Sequence, residues 1–133
     1  RNAPGTDGRE VNALQAGADI IVQQPNGGGF DLRVTEAMWK EKPVIGGYHG
    51  GIKPQIRDGL TGFVAGDTRT CASRMVTLLK DPTLAALMGS AARESVRRKY
   101  LMPRLLQDYL QIFSRLLDRR EKALAVPGVA SHA

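Results

Sequence analysis

Apolar and polar positions divide the chain into short apolar runs and longer amphipathic stretches. Arg1–Gly8 is rich in Gly, Pro, Asn and Asp and predicts a loop. Glu10–Ala16 predicts a short helix with Val11, Leu14 and Ala18 inward and Gly17 just past its end. Asp19–Gln23 is a short apolar run that suits a buried parallel strand. The stretch Pro25–Gly29 is the most flexible in composition, and Asp31 after it is a natural N-cap. The helix it opens runs from Leu32 to Lys40, with Val34, Ala37 and Met38 inward and Trp39 at its end. Pro43–Gly46 and Phe63–Ala65 predict two further strands, separated by a glycine-rich loop and by turns at Asp58-Gly59 and Thr61-Gly62. From Thr68 onward the pattern is helical. A first helix places Cys71, Ala72, Met75, Val76 and Leu79 on one face. Asp81-Pro82 restarts the chain as N-cap and first helical residue, and Leu84, Leu87, Met88, Ala91, Ala92 and Val96 follow. Pro103–Arg119 carries Leu105, Leu106, Tyr109, Leu110, Ile112, Phe113, Leu116 and Leu117 at amphipathic helical spacing. The remainder, 120–133, loses the pattern and reads as a flexible tail.

Composition narrows the class. A length of 133 residues suits one domain, and 42% apolar with 24% charged residues is an ordinary globular mixture. The lone cysteine, Cys71, excludes an internal disulfide framework and a cysteine-based metal cluster. No apolar run approaches a membrane span, and Arg1–Glu10 shows no signal-peptide core, so a cytoplasmic location is expected. The net charge of +6 is uneven: residues 1–66 hold seven basic and seven acidic side chains, whereas 67–133 hold twelve and six. Arg93, Arg97, Arg98 and Lys99 lie within an amphipathic pattern, and Tyr109 and Phe113 sit in an apolar stripe. That reads as a solvated helix face and not as the basic, aromatic groove of a nucleic-acid binder.

Helices alternating with short apolar strands predict a parallel α/β sheet, in which ligands bind at the carboxyl ends of strands. Here those ends are the words PNGGGFD and GGYHGG. A glycine run leading into a helix lets backbone N–H groups approach an anion, and phosphate is the usual guest. The spacing is neither G-x-G-x-x-G, because position 32 is leucine, nor a P-loop, because no Gly-Lys-Ser/Thr follows. A flexible loop without a ligand is the other reading of such a run.

A longer word carries more information. Gly29-Phe30-Asp31-Leu32-Arg33-Val34-Thr35-Glu36-Ala37-Met38-Trp39-Lys40 is followed by Pro43-Val44-Ile45-Gly46, Gly50-Gly51-Ile52 and Asp58-Gly59-Leu60-Thr61-Gly62-Phe63-Val64. With Glu10–Gln15 upstream, this resembles the nucleotide-sugar-binding half of retaining GT-B glycosyltransferases of family four, over residues 9–118. The likeness is to its trehalose synthase branch, which couples an NDP-glucose donor to glucose. The resemblance implies a Rossmann-like parallel sheet with flanking helices, a partial GT-B C-terminal domain over 9–119 with a helical C-terminal end, a leading loop at 1–8 and a tail at 120–133. It implies donor contacts from Gly28, Gly29, Phe30, Asp31, Leu32, Arg33 and Glu36, with Glu36 holding the ribose hydroxyls.

The sequence departs from the family on the site itself. Gly28 stands where the family has the first glutamate of its E-x7-E pair, which contacts the transferred sugar. Asp31 replaces a glycine beside the diphosphate, and Arg33 replaces threonine, where its guanidinium fork would offset the added charge. Family members also carry a separate N-terminal acceptor domain and earlier donor-domain strands. The resemblance therefore implies that this chain alone holds no catalytic residues and is silent in transfer, with the sugar acceptor met through that missing domain. An apolar face left by absent strands would be exposed or covered by self-association.

Other residues read more plainly. His49 in the GGYHGG loop is within reach of a donor or simply exposed; His132 lies in the tail. Cys71 reads as a buried structural thiol, Trp39 as core or interface, and Asp67 and Asp81 as helix starts. No cluster has metal-ligand spacing, and no cofactor, nucleic acid or membrane span is expected. Two functions stand: a glycosyltransferase donor-binding segment, and a non-catalytic nucleotide-binding or interaction module that inherited the fold. A sugar phosphorylase is a weaker third.

Overall fold

A computed structural model of the chain describes residues 8–24, 29–48 and 50–124, with side chains through residue 120. Helix α1 spans Gly8–Gly17, strand β1 Ile21–Gln23, helix α2 Leu32–Trp39 and strand β2 Val44–Gly47. A 3-10 turn at Gly50–Ile52 precedes strand β3, Phe63–Ala65. Helices α3 (Thr68–Lys80), α4 (Pro82–Lys99) and α5 (Met102–Leu124) follow. The chain packs as two units, residues 1–99 and 100–133.

In the first unit the strands lie in the order β1-β2-β3, both pairs parallel, with Ile21 opposite Val44 and Ile45 opposite Phe63. A parallel pair needs a crossover between its strands, and α2 supplies the one between β1 and β2. β2 is central and buried along its whole length, which accounts for the continuous apolar run Val44-Ile45 between glycines and proline. Ile45, Phe63 and Ala65 form the core together with Cys71, Leu78 and Met88.

Helices α2, α3 and α4 start as their sequence predicts. The carboxylates of Asp31, Asp67 and Asp81 accept the N–H of Arg33, Thr70 and Leu84, at 2.9, 2.8 and 2.9 Å. Such caps satisfy N–H groups that a helix leaves open at its first turn. Helix α2 buries Val34, Ala37 and Met38 completely, as its pattern requires. It ends in a Schellman turn: Glu41 N–H donates to the Met38 carbonyl and Lys42 N–H to that of Ala37. The left-handed position of that turn, usually glycine, is held by Glu41 at φ 60°.

The structure corrects the helix faces in three places. In α1 the inward residue is Gln15, 5% exposed, while Leu14 is 70% exposed. Gln15 turns in because its amide bonds to α2: its Nε2 donates to the Arg33 carbonyl at 3.0 Å, and its Oε1 accepts from Lys40 Nζ at 2.9 Å. In α3 the buried line is Cys71 and Leu78, whereas Met75, Val76 and Leu79 are exposed. Between the two buried residues the Arg74 guanidinium lies over the Phe63 ring, 4.4 Å from its centroid. An arginine thus covers an apolar ring through its flat cation, so counting apolar residues misplaces the face. In α4 Leu87 faces out, and Gly89 takes an inward place beside Met88, Ala92 and Val96.

The helical segments also outrun their pattern. α1 begins at Gly8, within the stretch read as loop, and α5 continues to Leu124, past the start of the stretch read as tail. Within its own unit, α5 carries the expected apolar stripe, with Tyr109 and Phe113 stacked at 6.2 Å between centroids. Among the described residues no helix is long and apolar enough to cross a membrane.

Gly89 is required where α4 crosses the end of α2. A Cβ there would stand 1.9 Å from the Glu41 carbonyl oxygen. Next to this contact Arg93 Nη1 meets Glu41 Oε1 at 2.7 Å, and the Arg93 guanidinium stacks over Trp39 at 5.0 Å. Trp39 is therefore half-exposed beneath an arginine, not in the core. Glycine to alanine inside a helix ordinarily stabilises by about 1 kcal/mol. Gly89→Ala is expected to reverse that sign and destabilise by about 2 kcal/mol, through overpacking against backbone. Urea unfolding of the variant measures it, and a gain in stability would refute the contact.

Candidate functional site

The carboxyl ends of β1 and β2 lead to the two glycine-rich segments, which the tertiary structure brings into contact. A Cβ on Gly51 would lie 1.9 Å from the Gly29 carbonyl oxygen and 2.5 Å from the Phe30 nitrogen. Only a residue without a side chain lets the second loop lie directly against the peptide of the first. A Cβ on Gly29 itself would meet nothing within 4 Å, so the Cα of that residue faces open space.

Gln55 completes the clamp. This side chain is 2% exposed, and its Oε1 accepts the Asp31 N–H while its Nε2 donates to the Asp31 carbonyl, both at 2.9 Å. One buried amide thus satisfies both backbone groups of the residue that caps α2. Ile52 and Ile56 hold Gln55 in place by packing over Gly46, filling the space a side chain there would occupy. Sequence reading quoted Gly51 only as part of the word Gly50-Gly51-Ile52 and missed Gln55; the available signal was an uncharged polar residue directly before Ile56.

Gly29, Phe30, Asp31, Leu32, Arg33 and Glu36 are thereby gathered at the entry and first turns of α2. Phe30 is half-exposed, Leu32 is 66% exposed, and Arg33 and Glu36 are exposed on the helix surface. Among the described residues neither the Arg33 nor the Glu36 side chain has a hydrogen-bond or ion-pair partner. Gly28 and His49 lie outside the described residues. The Asp31 carboxylate is committed to its own helix, on the Arg33 N–H, and so puts a negative charge at the positive end of the helix dipole.

Tyr48 stands at the end of β2, its N–H donating to the Ala65 carbonyl of β3 at 3.2 Å. Lys53 Nζ donates to its phenolic oxygen at 2.8 Å and sits 4.1 Å from the ring centroid. That hydrogen bond, and the ammonium charge, lower the phenol from its ordinary value. The pair adds a cation and an aromatic face beyond β2, and the sequence pattern did not single it out.

A three-stranded parallel sheet with a capped helix and apposed glycine loops at its strand ends defines a Rossmann-like binding domain, and its structural neighbours are GT-B glycosyltransferases. Anabaena HepE, solved with UDP and glucose, superposes at a TM-score of 0.68 and 23% identity, over 79% of this chain and 30% of that one. In sequence, the profile described as "Glycosyl transferases group 1" matches residues 4–81. The trehalose synthase of Pyrococcus horikoshii is 45% identical over 115 residues, covering 86% of this chain and 28% of that protein. The trehalose synthase of Rubrobacter xylanophilus is 43% identical over 108 residues, covering 81% of this chain and 26% of that protein. The chain belongs to the group 1 glycosyl transferases, and it spans little more than a quarter of the length of these relatives.

Gln55→Ala is expected to cost about 2 kcal/mol, because it strands two backbone groups of Asp31. Faster hydrogen exchange at the Asp31 amide than at the buried helix amides would check it; unchanged exchange would remove Gln55 from the clamp. The Tyr48 phenol is expected to titrate below the ordinary tyrosine range and to return toward it in Lys53→Met. Ultraviolet titration of the phenolate reads both, and an unshifted wild-type midpoint would contradict the pairing.

Proposed function

We propose that residues 9–119 are the donor-binding segment of a retaining glycosyltransferase that moves a hexosyl group from a nucleotide sugar to a sugar acceptor, in the manner of a trehalose synthase. One observation carries the reading: Gly29, whose Cα faces open space, and the unpaired Glu36 carboxylate share one helix entry, which the Gln55 amide holds. The positive end of a helix at such an entry attracts a diphosphate. A carboxylate on the exposed face of the next turn accepts two ribose hydroxyls. Arg33, exposed and uncommitted, has the fork geometry for a phosphate oxygen. The UDP held by HepE agrees with this choice of ligand. Transfer itself requires an acceptor oriented against the donor in a closed cleft. The acceptor is therefore met by a part of the parent protein outside this segment, and the segment by itself is inactive.

A second reading follows from Asp31. Its carboxylate already takes an N–H at the anion-binding end of α2, and a fixed negative charge beside a diphosphate is repulsive. With glycine at position 28, this supports a non-catalytic module that inherited the fold and whose degenerate donor site no longer holds a nucleotide sugar.

Saturation-transfer NMR with UDP-, ADP- and GDP-glucose separates the two. Binding of one of them, lost in Glu36→Ala and weakened in Gly29→Ala without loss of stability, is the expected result. Absence of binding to all three would favour the non-catalytic module. In the same frame, Gly28→Glu with Asp31→Gly is expected to tighten the nucleotide sugar at least tenfold, equivalent to about 1.4 kcal/mol. Calorimetry on the full-length protein showing no gain would discard that account of the two departures.

A further inference from the structure

Away from the α2 entry, the first unit carries a concave feature. It lies where the turn after Gln55 meets the last turns of α4, has a volume of about 280 Å³, and is lined by Arg57, Thr61, Ser95, Arg98 and Lys99 together with Leu60, Ala91 and Glu94. From sequence the Arg97–Lys99 run reads as a solvated face, and all three residues are exposed; the fold in addition brings Arg98 and Lys99 into one lining with Arg57.

The charges are arranged for an anion. Glu94 is the one acidic lining residue, and both of its oxygens are occupied. Arg97 binds it through Nε and Nη2 at 2.6 and 2.8 Å, and Arg98 through Nε. These two guanidiniums hold the Glu94 carboxyl down at about 2. Glu94 thus fixes Arg98 by its Nε edge and leaves the terminal nitrogens of that fork for a guest. Arg57 and Lys99 are exposed, and among the described residues their side chains have no partner. The backbone at Arg57 is held in turn, since its N–H donates to the Thr61 Oγ1 at 2.9 Å.

A second observation points the same way. Ser95 Oγ is buried and has no hydrogen-bond partner among the described residues. Buried polar atoms are almost always paired, so an unpartnered hydroxyl on a residue that lines a cationic groove is an exception that a bound acceptor would explain. Two arginine forks and one ammonium match the several acceptor oxygens of a tetrahedral dianion better than the two of a carboxylate.

We propose that the groove between Arg57, Ser95, Arg98 and Lys99 is a binding site for a phosphate group, separate from the nucleotide-sugar site and independent of that reading. The phosphate is either free or carried on a small sugar. Arg57 lies two residues beyond Gln55 in the chain, so a guest here draws on the segment that clamps Asp31.

The test is an amide-resolved NMR titration of the chain with inorganic phosphate and, separately, glucose 6-phosphate. Sodium chloride and sodium acetate at equal ionic strength are the controls. Saturable shifts are expected around residues 57–61 and 91–99, with affinity falling about tenfold in Arg57→Ala and in Lys99→Ala. Both residues are exposed, so these variants keep the dispersed spectrum of the folded chain. Tighter binding of glucose 6-phosphate would identify a sugar phosphate as the guest, and tighter inorganic phosphate the free ion; either supports the site. Equal shifts with chloride or acetate, shifts confined to residues 29–33, or affinity unchanged in both variants would overturn it.

Discussion

The buried amide of Gln55 is the constraint on which the candidate site depends. The Asp31 backbone must leave a glycine-rich loop and enter a helix, and its N–H and carbonyl both find their partner in a side chain 24 residues away. Gln55 satisfies the two groups at once, and no water is needed to do so. The same contact ties the entry of α2 to β2, because Gln55 belongs to the segment whose Ile52 and Ile56 pack over Gly46. Gly51 then presses on the Gly29–Phe30 peptide from behind. A ligand at that peptide meets a surface whose geometry is set before binding, which lowers the cost of ordering it.

Helix α2 is tied at every level of its length. Gln15 and Lys40 link it to α1, its inward residues have no exposure, and its end is closed against α4 at Gly89. The fixed helix carries its functional side chains outward. Arg33 and Glu36 are therefore spared from holding the fold together, and substitutions there separate ligand binding from stability. Asp31 differs from them because it serves the helix as cap, so its replacement tests a structural and an electrostatic role together.

Much of the architecture was legible from pattern. β3 fell where Phe63–Ala65 predicts it, and three aspartates cap the three helices they precede. Local chemistry explains this: a cap, a proline at a first helical turn or a buried apolar run acts within a few residues. Helix faces were less legible. Arg74 covers Phe63 as a hydrophobe would, and Gln15 is buried because two partners on α2 wait for it. Neither the stacking cation nor the paired amide carries a mark in a hydropathy pattern, since both depend on what lies opposite.

The sequence by itself determined the parallel α/β class, the glycine loops at strand ends and the family word from Gly29 to Lys40, because these rest on residue order and short-range spacing. Tertiary structure alone decided that the two glycine loops touch, that Gln55 is their bolt, and that Arg57 faces Arg98 and Lys99 across a groove. Those pairings join residues more than twenty positions apart, such as Asp31 with Gln55. Their energy comes from complementary hydrogen bonds, charge and the exclusion of a side chain at a point of contact, and these come into being only when the sheet has set the distance between the partners.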